Sequence, residues 1–250
     1  MKTTHALLIS ILILASTTLS ACTVQRALEP PEQKGFIPYK EGEGVVTASY
    51  PFSYTWIMPG LQAQRYSKIY VAPVNVSLVG DRDWRRSRGT TMIVRTAFEK
   101  RLADLASYYQ TTLINALQVG ADNRFLAIEQ PQKGSLRLEI ALTEVVFGDP
   151  VAYAGSFALP VPGSSFAFDT VASPMLSCEG RVIDNDTGQI VAVFADRKIP
   201  QIKPFDLNKF STSSPLREVI DRWTDEIVRS FNREGDVKVA RSSAFSLVPW

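Results

Sequence analysis

The sequence predicts an α/β fold, a two-layer sandwich in which two main amphipathic helices cover one face of a mixed sheet of four to five strands. Residues 136–143 alternate between apolar and polar side chains, which indicates a half-buried strand. Two other segments, residues 95–119 and 214–231, carry apolar residues at steps of three and four, which indicates helices. A strand with one wet face is typical of antiparallel or mixed sheets.

The first predicted strand lies within Lys68–Ser77, where β-branched and aromatic residues dominate. Pro73 has no N–H to donate, so it marks an edge position, a bulge or the end of this strand. Before it, Trp56 begins a predicted turn, Trp56–Gly60, and packs back on the domain. Residues 124–131 form a short strand. In the next strand Leu136, Leu138, Ile140 and Leu142 face the core, whereas Arg137, Glu139 and Thr143 face the other way.

The first predicted helix lies within residues 95–119 and ends near Gly120, a plausible C-cap. Its apolar stripe consists of Phe98, Leu102, Leu105, Tyr109, Leu113 and Leu117. The second helix begins with Ser214 as its N-cap and Pro215 at the first helical position. Its stripe consists of Leu216, Ile220, Trp223, Ile227 and Phe231.

Between the two helices, residues 176–197 predict a hairpin around the turn DNDTG. This turn resembles the start of a calcium-binding loop. However, Gly188 is the fifth residue where an EF-hand needs it sixth, and no glutamate stands at the twelfth position. A hairpin turn built on Asn, Asp and Gly explains the segment without a metal.

The N-terminus has the features of a secretory signal peptide, residues 1–21. Lys2 supplies a positive charge, residues 6–15 are apolar, and small residues precede Cys22. The motif LSAC resembles the bacterial lipobox, which implies that Cys22 is acylated after cleavage. The alternatives are an ordinary secreted protein or an uncleaved anchor. Residues 22–55 then form a lipidated flexible tether, residues 56–232 a single domain, and residues 233–250 a poorly ordered tail.

Acylation at Cys22 would make the lipid bilayer a permanent partner, because several acyl chains hold far more firmly than one. Residue 23 is Thr rather than Asp. By the sorting rule of enteric-type lipoproteins, this favours the outer membrane over the inner membrane. The expected location is therefore the cell outer membrane, with the domain facing the periplasm.

Two absences exclude several chemistries from the processed chain. The only histidine, His5, lies in the signal peptide, and Cys178 is the only cysteine besides Cys22. A Ser-His-Asp triad, a Cys-His pair, a histidine metal site and an internal disulfide are therefore excluded. Cys178 lies in an apolar alternation that predicts a buried structural thiol. We expect no enzymatic activity, no cofactor and no metal, and the near-neutral charge of +2 argues against nucleic acid.

Two segments offer candidate contacts. Residues 150–168 are uncharged and predict a hairpin with weakly polar faces, which packs on its own domain, forms an oligomer or partner interface, or inserts into a bilayer. Its candidate contact residues are Tyr153, Phe157, Leu159, Phe166 and Phe168. The second segment carries a basic cluster, which is either a solvated loop or a contact for an anionic surface: Arg82, Arg85, Arg86 and Arg88, around Trp84.

Several segments together resemble a family of uncharacterised bacterial lipoproteins, the domain of unknown function DUF3313. They are LSAC, KGFIPY, WIMPG, YSKIYVAPVNV, LADLASYYQTTLINAL, GSLRLEIALTEV, DNDTGQIVAVFADR and the helix around Trp223. The resemblance implies an envelope lipoprotein and brings no activity and no catalytic residues.

The sequence therefore predicts a membrane-anchored periplasmic lipoprotein that acts as a non-enzymatic binding or assembly module of the cell envelope. Its partner would be another envelope protein or a second copy of the chain. Two alternatives stay open. One is an oligomeric pore or accessory subunit of a transport or secretion system, and the other is a cryptic hydrolase that uses carboxylates or Ser-Lys chemistry.

Overall fold

A computed structural model describes residues 33–80, 92–118, 124–147, 174–200, 213–233 and 237–241. These residues form six strands and two helices, together with 3-10 turns at Thr47–Ser49 and Ala63–Arg65. The strands are β1 (Tyr54–Ile57), β2 (Lys68–Val71), β3 (Leu126–Ile128), β4 (Leu136–Val146), β5 (Met175–Asp184) and β6 (Ile190–Lys198). The helices are α1 (Met92–Gln118) and α2 (Ser214–Phe231).

The strands form one mixed sheet in the order β1-β6-β5-β4-β2-β3. β2 runs parallel to both of its neighbours, and the other pairs are antiparallel. The sheet has six strands rather than the predicted four to five because β1 occupies the segment assigned to a turn. The turn prediction at Trp56 is wrong: Trp56 pairs with Val193 of β6, and only the residues after Ile57 turn.

Both helices cover the same face of the sheet, as predicted. All six residues of the α1 stripe are buried, and so are Leu216, Ile220, Trp223 and Ile227 of α2. The rings of Tyr109 and Trp223 stack with their centroids 6.0 Å apart, which joins the helices above the sheet. One correction concerns the start of α2, because Ser213, and not Ser214, is the N-cap residue and its side chain makes no capping bond.

The predicted alternation of β4 holds as far as Leu142. There the register against β5 shifts, so that Glu144 rather than Thr143 continues the pairing. Thr143 is fully buried instead of facing solvent, which corrects the prediction, and a bulge that re-aims one side chain is the physical reason.

The hairpin of β5 and β6 confirms the interpretation of DNDTG as a turn. The Asp184 carboxylate accepts the backbone N–H of Asp186 at 2.8 Å, the Asx geometry that such turns favour. Gly188 adopts a φ of 70°, a conformation that glycine reaches without strain.

The second face of the sheet receives residues that the sequence assigns to the tether. Ile37 is buried against Val193 and Ala195 of β6, with Phe36, Tyr39, Tyr54 and Trp56 around it. Residues 36–39 therefore pack on the domain, although the sequence analysis assigns them to the flexible tether. Ile37 stands in the short segment KGFIPYK, where the apolar residues follow neither a helical nor a strand period, so a pattern search misses it.

The described part of the predicted tail also packs on the domain. Val239 is buried, and its N–H donates to the carbonyl of Ser49 at 3.1 Å. This corrects the expectation of poor order for residues 237–241. Among the described helices, none combines the length and the apolar character that a membrane crossing requires.

Candidate functional site

A cavity of about 340 Å³ lies between the β1 side of the sheet and the C-terminal end of α2. Apolar side chains from β1, β5, β6 and α2 make most of its wall, among them Ile57, Val182, Ala192, Phe194 and Ile227. A volume in this range matches that of small-molecule pockets, which are mostly apolar with a few placed polar groups.

Gly180 and Phe194 shape one wall of the cavity. These residues face each other across β5 and β6, and the ring of Phe194 lies over the glycine. A Cβ atom at residue 180 would come within 2.2 Å of that ring. Phe52 stacks on Phe194 with a centroid distance of 4.7 Å and extends the aromatic wall. The glycine therefore permits the ring position that bounds the cavity.

Thr55 brings a hydroxyl group to this apolar wall. Its side chain is 4% exposed, and Oγ1 has no hydrogen-bond partner among the described residues. Its backbone is satisfied, because its N–H donates to Thr47 Oγ1 at 2.9 Å and its carbonyl accepts from Val46 at 3.0 Å. A buried hydroxyl without a partner costs free energy, so this group is poised to accept one.

Two arginines also line the cavity. The guanidinium of Arg124 lies 5.2 Å from the ring centre of Phe125, and that of Arg233 lies 4.8 Å from the ring centre of Tyr50. The N–H of Arg124 donates to Asn232 Oδ1 at 2.9 Å, which brings Arg124 close to Arg233 in space. Among the described lining residues there is no aspartate or glutamate. Arg124 and Arg233 therefore bring two cationic side chains to this part of the cavity wall.

A separate cluster of charged groups lies closed between α2 and β6. The Asp196 carboxylate accepts the N–H and the hydroxyl of Ser53 at 3.0 and 2.6 Å and the indole N–H of Trp223 at 2.9 Å. Lys198 pairs with Glu226 and lies 3.6 Å from Asp196. Both carboxylates are fully buried, so the cluster fixes the helix on the sheet.

Cys178 lies beside this cluster and is fully buried, which confirms the prediction of a buried thiol. Burial raises the pKa of the Cys178 thiol well above its usual value, and the nearby charge of Asp196 raises it further. The thiol therefore stays protonated at neutral pH, and this form is a poor nucleophile.

On the other face of the sheet, one carboxylate organises the N-terminal segment. Glu179 is fully buried and accepts the backbone N–H groups of Lys34, Phe36 and Ile37 at 2.8, 3.0 and 3.1 Å. Arg181 donates to the carbonyl of Phe36 at 3.1 Å and lies over its ring at 4.5 Å. These contacts hold residues 34–37 on β5.

The candidate residues of the sequence analysis lie outside the described part of the chain. This applies to Cys22, to the basic cluster Arg82, Arg85, Arg86 and Arg88, and to Tyr153, Phe157, Leu159, Phe166 and Phe168. Their roles stay predictions. Sequence reasoning missed the cavity because its described lining residues come from six separate segments and carry no shared motif. Among the described residues, no three His, Cys, Asp or Glu side chains are arranged to hold a metal ion.

Comparison with protein families identifies the family of this chain. The family model described as a protein of unknown function (DUF3313) matches residues 45–227, which span β1 to most of α2. The family suggested by the sequence motifs is therefore confirmed. No curated protein matches the sequence.

Solved structures show a distant likeness. A PelC dodecamer from Paraburkholderia phytofirmans is 15% identical, with a TM-score of 0.38 over 75% of this chain and 96% of that chain. A hypothetical protein from Chlamydia trachomatis is 7% identical, with a TM-score of 0.34 over 66% of this chain and 98% of that chain. Likeness at this level assigns neither a function nor an assembly to this chain.

Proposed function

This chain belongs to the DUF3313 family of proteins of unknown function, and on that premise we propose that it is a lipid-anchored envelope protein that acts by binding rather than by catalysis. The binding site is the cavity beside β1 and α2. The anchor is Cys22, the first residue after the predicted signal peptide.

The observation that carries the binding role is the cavity itself. Its volume of about 340 Å³ lies in the range of small-molecule binding sites, about 300–1,000 Å³. Its wall combines apolar side chains with the unsatisfied hydroxyl of Thr55, the pattern expected of a site that accepts a small apolar ligand with a polar group.

Three further observations support binding over catalysis. The processed chain has no histidine. The Cys178 thiol is buried and held protonated. The buried carboxylates Asp196 and Glu226 are held by Ser53, Trp223 and Lys198 in a closed cluster rather than facing a cavity.

The lipobox supports the anchor and the location. Acyl chains on Cys22 would hold the domain at a membrane, and Thr23 favours the outer membrane with the domain in the periplasm. A protein partner or self-association through Tyr153, Phe157, Leu159, Phe166 and Phe168 would complete the assembly role.

Titration with the neutral apolar dye phenylnaphthylamine tests the binding role. The dye becomes fluorescent in an apolar site, so we expect saturable binding to the processed chain in which Cys22 is replaced by serine. Ala192→Leu adds three carbon atoms to the cavity wall opposite Ile57, and it should weaken dye binding by about tenfold or more.

Ala103→Leu is the matched control, because Ala103 lies on the exposed side of α1. This variant should bind the dye like the unmodified chain. Equal weakening by both variants, or no effect of Ala192→Leu, would place the dye elsewhere and contradict the proposal.

A further inference from the structure

We infer that the cavity takes a single-chain anionic amphiphile, with the apolar chain among the sheet and α2 residues and the anionic head at Arg124. This inference rests on the proposed binding function and specifies its ligand class. It follows from the volume of the cavity, from its apolar wall and from the cationic groups that line it.

The cavity volume and wall fit one short hydrocarbon chain. A volume of about 340 Å³ lies in the range of small-molecule sites, about 300–1,000 Å³, and suits one short chain. The chain would lie against Ile57, Val182, Val191 and Ile227, which come from three strands and α2. Each buried methylene should raise affinity about fourfold.

The cationic side of the cavity wall indicates an anionic head. Arg124 is half-buried, and its Nη2 atom is buried without a hydrogen-bond partner among the described residues. An unmade bond to a buried guanidinium nitrogen is costly, and a carboxylate or phosphate oxygen is the partner that fits its planar donor group. The described lining residues offer no carboxylate that would compete for it.

Two other groups strengthen this assignment. The guanidinium of Arg233 lies over Tyr50 on the same wall and adds a second positive charge. The Thr55 hydroxyl, 4% exposed and without a partner among the described residues, provides a neutral donor and acceptor for an oxygen of the ligand. A neutral hydroxyl head would accept only a weaker hydrogen bond from Arg124, and a cationic head would be repelled by it.

Isothermal titration calorimetry with four probes of equal chain length tests the head group. The probes are decanoate, decyl phosphate, decanol and decyltrimethylammonium, added below their micelle concentrations to the processed chain with Cys22→Ser. We expect one anion bound per chain, about tenfold or more tighter than decanol, and the weakest binding for the cation. Whichever of the two anions binds more tightly shows whether the site prefers a carboxylate or a phosphate head.

Arg124→Gln should abolish the preference for anions and leave the affinity for decanol within about twofold. Arg124→Lys keeps the charge but loses the planar donor group, so it should retain part of the preference. Arg95→Gln is the matched control, because Arg95 is exposed on α1 and pairs with Glu99. This control should bind all four probes like the unmodified chain.

The anionic ligand class and the binding role can be contradicted by different outcomes of these titrations. Equal affinity for decanol and the two anions would overturn the anionic head and leave the binding role intact. An anion preference that survives Arg124→Gln would move the head away from Arg124 and overturn the assignment. Failure of all four probes and of the neutral dye would contradict both proposals.

Discussion

Glu179 is a carboxylate without exposed surface, and the N-terminal segment is folded around it. Three backbone N–H groups of residues 34–37 donate to its two oxygens, which accounts for the burial of a charge on the outer face of the sheet. Hydrogen bonds to a charged group are about twice as strong as neutral ones. This side chain therefore determines where a segment without regular structure lies.

Glu179→Gln should destabilise the domain by about 2–4 kcal/mol, because the amide nitrogen of glutamine faces N–H donors and cannot accept from them. Urea unfolding measures this loss, and hydrogen exchange should show the amides of Phe36 and Ile37 exchanging faster. Glu99→Gln is the control, because Glu99 is exposed on α1 and its replacement should cost about 0.5 kcal/mol or less. Equal effects of the two substitutions would refute this role.

The lowered pKa of Asp184 predicts that the folded chain loses part of its stability in acid. Burial by itself would raise the pKa of its carboxyl, but the N–H groups of Asp186 and Thr187 and the hydroxyl of Tyr66 hold that pKa below its usual value. A lowered pKa stabilises the folded chain above the unfolded value of about 3.9, and this contribution is lost as the pH falls through the folded pKa.

Asp184→Asn should therefore flatten the decrease of unfolding free energy that begins near pH 4 and continues downward. Urea unfolding at a series of pH values between about 3 and 6 measures it. A pH profile parallel to that of the unmodified chain would show that Asp184 does not contribute.

At the scale of elements, the packing on β5 and β6 depends on Gly180, because the ring of Phe194 lies over this glycine. Gly180→Ala places a methyl group in the position of the Phe194 ring, where the ring atoms lie 2.2 to 2.7 Å from an added Cβ. The ring must move, and such overpacking costs about 1–3 kcal/mol. Because Phe194 lines the cavity, the affinity for the neutral dye should change as well.

A double-mutant cycle tests this coupling. Phe194→Leu removes the ring, so Gly180→Ala should cost much less in that background, by an interaction energy of about 1 kcal/mol or more in thermal or urea unfolding. Additive effects of the two substitutions would argue that the ring and the glycine are independent.

Sequence patterns predicted the elements whose signals are local. The stripe from Phe98 to Leu117 lies within one helix, and the alternation from Leu136 to Leu142 lies within one strand, so periodicity identified both. β1 has four residues, and its place at the edge depends on pairing with β6, which no local pattern encodes. Ile37 was missed for the same reason, since its burial depends on Glu179, about 140 residues away.

At the scale of the whole molecule, the cavity arises from segments that are distant in the chain. Thr55, Arg124 and Phe194 meet only after the sheet order β1-β6-β5 and the end of α2 are established. Composition predicted binding over catalysis, because the only histidine, His5, lies in the predicted signal peptide. It gave no indication of where a ligand would lie.

At the scale of the whole molecule, replacing Cys22 tests whether this residue anchors the protein to the membrane. Cys22→Ser should move the protein from the outer-membrane fraction to the soluble periplasmic fraction, because one hydroxyl replaces the acylated sulfur. Immunoblots of cell fractions measure the shift, and mass spectrometry of the native protein should show acyl chains on Cys22. Cys178→Ser is the control, since Cys178 is buried in the core. This substitution should leave the distribution of the protein among cell fractions unchanged. If the Cys22→Ser protein were distributed among the fractions like the unmodified protein, lipid anchoring at Cys22 would be contradicted.

Nuclear magnetic resonance of labelled methyl groups, recorded while decanol is added to the processed chain, tests the central claim most directly. A ligand in the cavity should shift the methyl signals of Ile57, Val191 and Ile227 in a saturable manner. The signal of Leu126, which is 55% exposed on β3, should stay in place. Shifts confined to exposed methyl groups, or cavity signals that do not respond, would contradict a ligand-binding role for this cavity.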